Sequence, residues 1–542
     1  MFSTQDLPFE KSWQLEGTEK WERWNFGTVR RKRDFDLIVV PPPFSTPLRN
    51  TSTSRDHEPT DASLEELRRW QEQRVERKLR GEYESQVKKL VEVVTENLDQ
   101  PARIGAIRVE GAHRTRSSFL GSLVKPYLAA PADGSSPRPT TLADVLSTTQ
   151  EVRSLLNDTK IFTSVKPTLE RSWSPLAERD DIDIVFRCAE RGKWFIRTAT
   201  DLGNQEGSAS ATARINNVFG GAESLEGNLS FGTKTRQAFQ LRLEAPVVSL
   251  DHSLKTRGEI SAFSTERDFS TFASVSEAAK GLKFALRTPW REGSHEVAYE
   301  LTSRHIGNLA ENASLSMREA AGHSFKSALT HTYLRDTRDD TMFGSKGSYA
   351  KIAHEVAGLG GDVSHFKSES VFQVSRQVAK GLALSYSAAS GLLYPLSLYA
   401  SRPSSAQSLF SDRFQLGGPL SVRMFKQNGL GSRDNGDSLG GDLYWSVGVS
   451  MFTDVPKKPD WPIKLHAFVN AGRLDALDRS KPIDLVESVK QSLTRPSISA
   501  GVGLIYRFDP VRVEVNVGVP LVAGQSDLGR RGVQVGMGLE FL

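Results

Sequence analysis

The chain ends Arg531-Gly-Val-Gln-Val-Gly-Met-Gly-Leu-Glu-Phe-Leu542. Val533, Val535, Met537, Leu539 and Phe541 alternate with Gln534, Gly536, Gly538 and Glu540. In a strand the two sets face opposite ways. No helix or polar tail follows. A terminal strand needs a partner on each edge, or its backbone groups stay unpaired. A closed barrel supplies the second partner, the first strand of the same sheet. Upstream, Val511, Val513, Val515, Val517 and Val519 alternate with Arg512, Glu514, Asn516 and Gly518. This is the length of a transmembrane β-strand, about 9–11 residues. It has an apolar face for lipid and a polar face for an interior. A surface hairpin of a soluble sandwich alternates in the same way, so the rest of the chain decides.

With 542 residues the chain exceeds one compact core, and at least two domains are expected. Mean hydropathy is −0.39 and hydrophobic residues make up 38%. No run approaches the ~20 apolar residues of a membrane helix. The nearest, Leu37-Ile-Val-Val40, stops at three prolines. Barrel strands hide half their apolar signal by alternating, so a membrane barrel stays open. Net charge is +5 and the bases are spread out, which argues against a nucleic-acid partner. Arg30-Arg-Lys-Arg33 precedes Asp34 and Asp36 and reads as a solvated patch. Cys188 is the only cysteine, so neither an intramolecular disulfide nor a Cys-based metal site is expected. The first ten residues lack a secretory signal, and Asp6 and Glu10 argue against a cleaved presequence. A barrel made this way fits an organelle outer membrane reached from the cytosol.

Composition divides the chain into four. Residues 1–62 are polar and proline-broken and read as a disordered extension, with Trp13, Trp21, Trp24 and Phe26 as its aromatics. Residues 63–100 read as a charged helix with a Ser63/Glu66 capping box. Residues 103–190 read as a small β-α-α-β-β module. Residues 193–542 are alternating segments broken by turns. At ~22 residues per strand and connection, they accommodate about sixteen strands.

Ile107-Arg-Val-Glu-Gly-Ala-His-Arg-Thr115, followed by two helices and Phe162-Thr-Ser-Val165, resembles a POTRA domain. Such domains precede the barrels of the BamA-type outer-membrane assembly superfamily. The signal-less N-terminus and single module resemble its mitochondrial branch, the barrel subunit of the sorting and assembly machinery. The resemblance covers residues 103–542. It implies a mainly β fold, with one small α+β POTRA domain before a transmembrane antiparallel barrel of sixteen strands.

Within it, Leu416-Gly-Gly-Pro-Leu-Ser-Val-Arg-Met-Phe425 resembles the tip of a long loop that folds back into the barrel. Leu416, Gly417, Gly418, Arg423 and Phe425 carry the match, and Met424 replaces the family's glycine. An arginine in a polar lumen can pair with wall carboxylates and hold the loop. Asp475 is the wall partner expected. Asp336-Thr-Arg-Asp-Asp340, with Gly344 and Gly347, resembles a family hairpin and also has plain turn chemistry. Gln534, Gly536, Leu539 and Phe541 match the family's terminal-strand sorting signal.

The resemblance implies an insertase that folds β-barrel precursor proteins into the mitochondrial outer membrane. The first strand, with Trp194, Ile196 and Thr198, would form a seam with the last. Partners implied are those precursors, peripheral subunits of the same machinery and the lipid bilayer. No catalysis, cofactor or metal is expected. His295-Glu-Val-Ala-Tyr299 and His354-Glu-Val-Ala-Gly358 lack the second histidine of a zinc-protease helix. There is no Gly-x-Ser-x-Gly elbow, and Gly429–Gly436 lacks the end of a phosphate loop. The rival readings are a passive outer-membrane channel, a protein-conducting barrel of a plastid envelope, and an enzyme on a barrel scaffold.

Overall fold

The computed structural model describes residues 61–538 except 80–88, 90, 129–140, 176, 179, 204–205, 249–253, 341–343, 397–407, 459–460, 478–483 and 509–510. The N-terminal aromatics, the Arg30–Arg33 cluster, Leu539 and Phe541 lie outside the described residues. A helix, α1 (Asp61–Leu79), leads in. Its side chains from Leu64 to Glu76 are exposed apart from the half-buried Trp70, as its charged sequence requires.

Residues 103–190 form a three-stranded sheet under two helices. The elements are β1 (Arg103–Glu110), α2 (Ser117–Leu128), α3 (Leu142–Asp158), β2 (Phe162–Arg171) and β3 (Asp181–Glu190). β3 is central, parallel to β1 and antiparallel to β2. Thr141 and Asp144 form a capping box that starts α3. Phe119, Leu120 and Leu123 of α2 and Val145, Val152 and Leu156 of α3 bury against Ile184 and Phe186 of β3. Gly111 (φ +83°) turns the chain after β1. A Cβ there would lie 2.1 Å from the Cys188 carbonyl oxygen, so only glycine fits.

The remaining strands make one sixteen-stranded sheet. They are β4 (Trp194–Gly203), β5 (Glu206–Asn216), β6 (Ser224–Gly232), β7 (Thr235–Pro246), β8 (Arg257–Asp268), β9 (Ser276–Trp290), β10 (Gly293–Gly307) and β11 (Gly322–Asp336). There follow β12 (Gly347–Gly361), β13 (His365–Ala379) and β14 (Leu382–Pro395). After an inner loop that holds a two-residue ribbon, β15 (Arg433–Asp434) and β16 (Asp437–Ser438), come β17 (Leu443–Asp454), β18 (Ile463–Asp475), β19 (Ser497–Phe508), β20 (Val511–Val522) and β21 (Gly532–Gly538). Each strand of the large sheet pairs with its neighbour in sequence, β14 with β17 across the loop. The short connections produce this meander. β4 and β21, the two ends, approach within 8 Å between Cα atoms. No ladder joins them among the described residues.

The two faces are sorted opposite to those of a soluble protein. On β20, Val515, Val517 and Val519 are exposed, whereas Glu514 and Asn516 are 0% exposed. On β17, Val447, Val449 and Met451 point out, and Ser446 and Ser450 are buried. An outer face of this composition suits lipid, and the polar face then needs an interior of its own.

The α+β module is fastened to the sheet. Arg116 N donates to Gly220 O (2.8 Å), and its guanidinium meets Glu223 at 2.7 Å. Asn217 Nδ2 donates to Thr115 Oγ1 (2.9 Å). All three sheet residues belong to the β5–β6 connection. Leu254, between β7 and β8, joins the module's own core.

Cys188 sits in that core. Burial pushes its thiol up to about 11, and the neighbouring Glu190 carboxylate adds to the rise. The thiol is therefore neutral and covered at pH 8. A maleimide should label the folded protein at least tenfold more slowly than the protein in denaturant, read by mass spectrometry. Equal rates would show that this core is open.

Candidate functional site: a loop clasped inside the sheet

The site is the inner loop between β14 and β17, together with the strands it touches. Gly417 (φ +106°) and Gly418 (φ +121°) allow the chain to double back. A Cβ on Gly417 would come within 3.1–3.3 Å of Gly429, Lys426 and Leu430 backbone atoms. Leu430 N donates to Leu416 O (3.1 Å), and Asn428 N to Gly417 O (3.1 Å). These bonds close the loop on itself. Leu416, Val422, Phe425 and Leu430 then bury together against Phe414, Tyr444 and Leu474.

Arg423 is fully buried at the loop's tip. Its Nε donates to Glu514 Oε2 (3.0 Å) and its Nη2 to Glu514 Oε1 (3.2 Å). This is the bidentate geometry in which a guanidinium recognises a carboxylate. Asn470 Oδ1 on β18 accepts from Nη1 at 3.4 Å, and the guanidinium lies 5.3 Å from the Phe468 ring centre. Glu514 also accepts from Arg512 and from Asn516 Nδ2 (2.8 Å). One carboxylate thus balances two guanidiniums.

The wall carboxylate is therefore Glu514, which corrects the expectation of Asp475. The Asp475 carboxylate accepts instead from Arg473 Nε (2.8 Å), two residues away on the same face of β18. Glu514 stood in the valine strand on the polar face. Its charge there was the available signal.

Met424 adopts φ +62°, the left-handed region, with its side chain 0% exposed. Such a conformation costs a non-glycine residue roughly 1–3 kcal/mol. Burial of the thioether side chain, about 3.1 Å from where a Cβ on Gly518 would lie, offsets it. The backbone approach thus survives without the glycine. Met424 N donates to Gln534 Oε1 (2.8 Å), and Gln534 Nε2 donates to Phe425 O (2.8 Å). Gly536, the next inward residue, lies opposite Glu514 in the β20–β21 ladder.

A second anchor lies at the loop's base, and sequence reasoning did not find it. Asp412 accepts from Arg304 Nη1 (2.8 Å) and Nη2 (3.0 Å) and from Lys326 Nζ (3.3 Å). Lys367 Nζ donates to Asp412 O (3.0 Å). Glu355 meets Lys326 (2.6 Å) and His365 (2.8 Å). Asp412, Glu355 and His365 could in principle gather a metal ion. The Lys326 ammonium, bonded to both carboxylates, already supplies the positive charge there.

Trp194, Ile196 and Thr198 share one face of β4, opposite Ile215, Ala213 and Ala211 of β5. Trp194 and Ile196 are strongly exposed.

A sixteen-stranded meander, an α+β module before it and an inner loop clasped by arginine define a class of membrane-assembly protein. The model for the Omp85 superfamily domain matches residues 217–541, and the chain belongs to the Omp85 superfamily. It is 36% identical over 468 residues to a SAM50-like protein of Schizosaccharomyces pombe, covering 85% of this chain and 95% of that one. It is 29% identical over 409 residues to the human sorting and assembly machinery component 50 homolog, covering 74% of this chain and 84% of the relative. The fold is similar to BamA from Haemophilus ducreyi lacking POTRA domains 1–3. There the TM-score is 0.64 at 16% identity, with 81% of this chain and 84% of that one covered.

Replacing Glu514 by Leu leaves two buried guanidiniums without their shared carboxylate, whereas Arg423→Leu leaves the Glu514–Arg512 pair in place. Glu514→Leu should therefore destabilise more, toward the ~3–5 kcal/mol of a broken buried pair. Thermal unfolding in detergent would read the order, and the reverse order would refute this assignment of the charges. The double substitution should cost less than the sum.

Proposed function

We propose that this chain folds and inserts β-barrel precursor proteins through a seam between β4 and β21. A SAM50-type member of the Omp85 superfamily is a membrane protein-insertion machine of the mitochondrial outer membrane, and not an enzyme. The reading adds a site to that activity. The sheet curls into a barrel, with β4 and β21 facing each other at its weakest line. The observation that carries it is the asymmetry of the two end strands. Each is laddered on one edge, to β5 and to β20, and they approach without a ladder among the described residues.

Lipid cannot satisfy exposed backbone N–H and C=O groups, so a loosely closed edge strongly favours an added strand. A precursor's terminal strand would pair with β4 by β-augmentation. Trp194, Ile196 and Thr198 lie on that strand. Gln534 and Gly536 lie on β21, the strand that the incoming one replaces, and Leu539 and Phe541 complete the signal in sequence. The inner loop keeps the rest of the wall in shape, and residues 103–190 serve as the POTRA domain. The assembly complex around it is membrane-embedded, and peripheral subunits complete it. The protein-conducting reading for a plastid envelope loses ground to the SAM50-type relatives. A passive channel has no use for the clasped loop.

The test is disulfide trapping. With Cys188→Ser and Thr198→Cys, an imported barrel precursor carrying a cysteine in its last strand should form a mixed disulfide. Mutating the precursor's terminal strand should abolish the link. If only a link between Thr198→Cys and a cysteine placed in β21 ever forms, the seam stays closed and the channel reading is the better one. Deleting residues 103–190 should lower precursor capture and leave ion conductance measurable. Unchanged capture would remove the module from the mechanism.

A further inference from the structure

We infer that Gln534 is a latch: its carboxamide ties the last strand to the tip of the inner loop and sets how readily that strand leaves its place. Gln534 is 2% exposed on the inner face of β21. Its oxygen accepts from Met424 N and its nitrogen donates to Phe425 O, both at 2.8 Å. Two adjacent backbone groups of the loop thus present one donor and one acceptor, and a primary carboxamide fits both at once. The left-handed Met424 makes this presentation, because its backbone turns between the two groups. The opposite residue on β20, Asn516, does not compete for the site. Its side chain is engaged with Glu514 (2.8 Å) and His466 (3.2 Å).

The loop grips the final hairpin in three places. Arg423 holds β20 through Glu514. Backbone bonds hold the connection: Lys426 N to Leu528 O (2.9 Å), Leu528 N to Gly429 O (2.8 Å) and Arg530 N to Met424 O (2.9 Å). Gln534 holds β21 itself. β21 ends the sheet and is laddered on one side, to β20. Releasing two buried hydrogen bonds there should loosen β21 and leave β20 anchored. Gln534 is a positioning residue, since it acts through the loop. That its release exposes a site for precursors rests on the seam reading above. That it holds β21 does not.

The experiment uses the full chain in lipid nanodiscs, without precursor, and follows amide hydrogen exchange. Gln534→Leu should raise exchange at least tenfold over residues 532–538 and leave residues 511–518 unchanged. Gln534→Glu separates hydrogen bonding from packing. A protonated carboxyl offers the same acceptor and donor, and a carboxylate offers acceptors alone. The charged groups around the site, Arg423, Glu514 and Arg512 with His466, are common to wild type and variants. Intrinsic pH effects therefore cancel against wild type. Gln534→Glu should be protected like wild type at acid pH.

Unchanged exchange in Gln534→Leu would overturn the latch. So would loosening of both strands together, or a Gln534→Glu protein that matches Gln534→Leu at every pH. In a second arm, Gln534→Leu should raise severalfold the yield of precursor disulfide at Thr198→Cys. If the parent carrying Gln534 captures no precursor, the seam reading fails while exchange still reports the latch. If it captures precursor and Gln534→Leu changes neither readout, the latch fails alone.

Discussion

Lipid on the outside dictates the rest of this structure. A sheet whose outer face meets hydrocarbon must turn its charged groups inward. Arg304 on β10, Lys326 on β11, Glu355 on β12 and Arg512 and Glu514 on β20 are all on the inner side. Buried there, each needs an opposite charge or a hydrogen-bond partner, because an unpartnered buried charge costs several kcal/mol. The wall cannot meet this need alone. Arg304, Lys326 and Lys367 gather on one part of the wall, and on β20 one carboxylate serves two guanidiniums.

The inner loop brings the missing charges in the right order. At its base, Asp412 faces the cationic stretch of Arg304, Lys326 and Lys367. At its tip, Arg423 faces Glu514. The anchors have opposite sign, so a slipped loop would set like charges against each other. Buried ion pairs are a weak source of stability, but opposed pairs select one arrangement. The glycines at 417 and 418 and the left-handed Met424 let the backbone reach both walls from one connection.

What could be read from sequence follows from the range of each interaction. The valines of β20 and the helices and strands of residues 103–190 show through local periodicity, which needs no knowledge of partners. Leu416 to Phe425 could be matched because its residues are contiguous. The pairing of Arg423 could not, since Glu514 lies 91 residues on. Asp475 was the nearer carboxylate, yet Arg473 on the same strand face takes it. Asp412 meets Arg304 across 108 residues. No local pattern marks an aspartate in a short 3-10 turn as the balance for three distant cations. Gln534 was legible as the polar residue of a terminal signal, but its bonds to the loop backbone depend on no side chain of the loop. Such contacts leave no trace in sequence.

The two end strands are held from opposite ends. β4 leaves β3 after a three-residue connection. Its root is fixed by Arg191 N to Ile161 O (2.7 Å) and by Asn216 N to Lys193 O (2.8 Å), with Arg114 donating to Arg191 O (2.7 Å). β21 is fixed where it begins, by the loop's bonds to residues 528–534. The strands of a meander alternate in direction, so with sixteen of them the roots of β4 and β21 lie at opposite rims. Each strand is thus fastened where it begins. A strand fixed at one end opens by fraying from its free end, since backbone bonds there close the smallest ordered length. The α+β module and the inner loop therefore fasten the first and the last strand of the sheet, each where it begins.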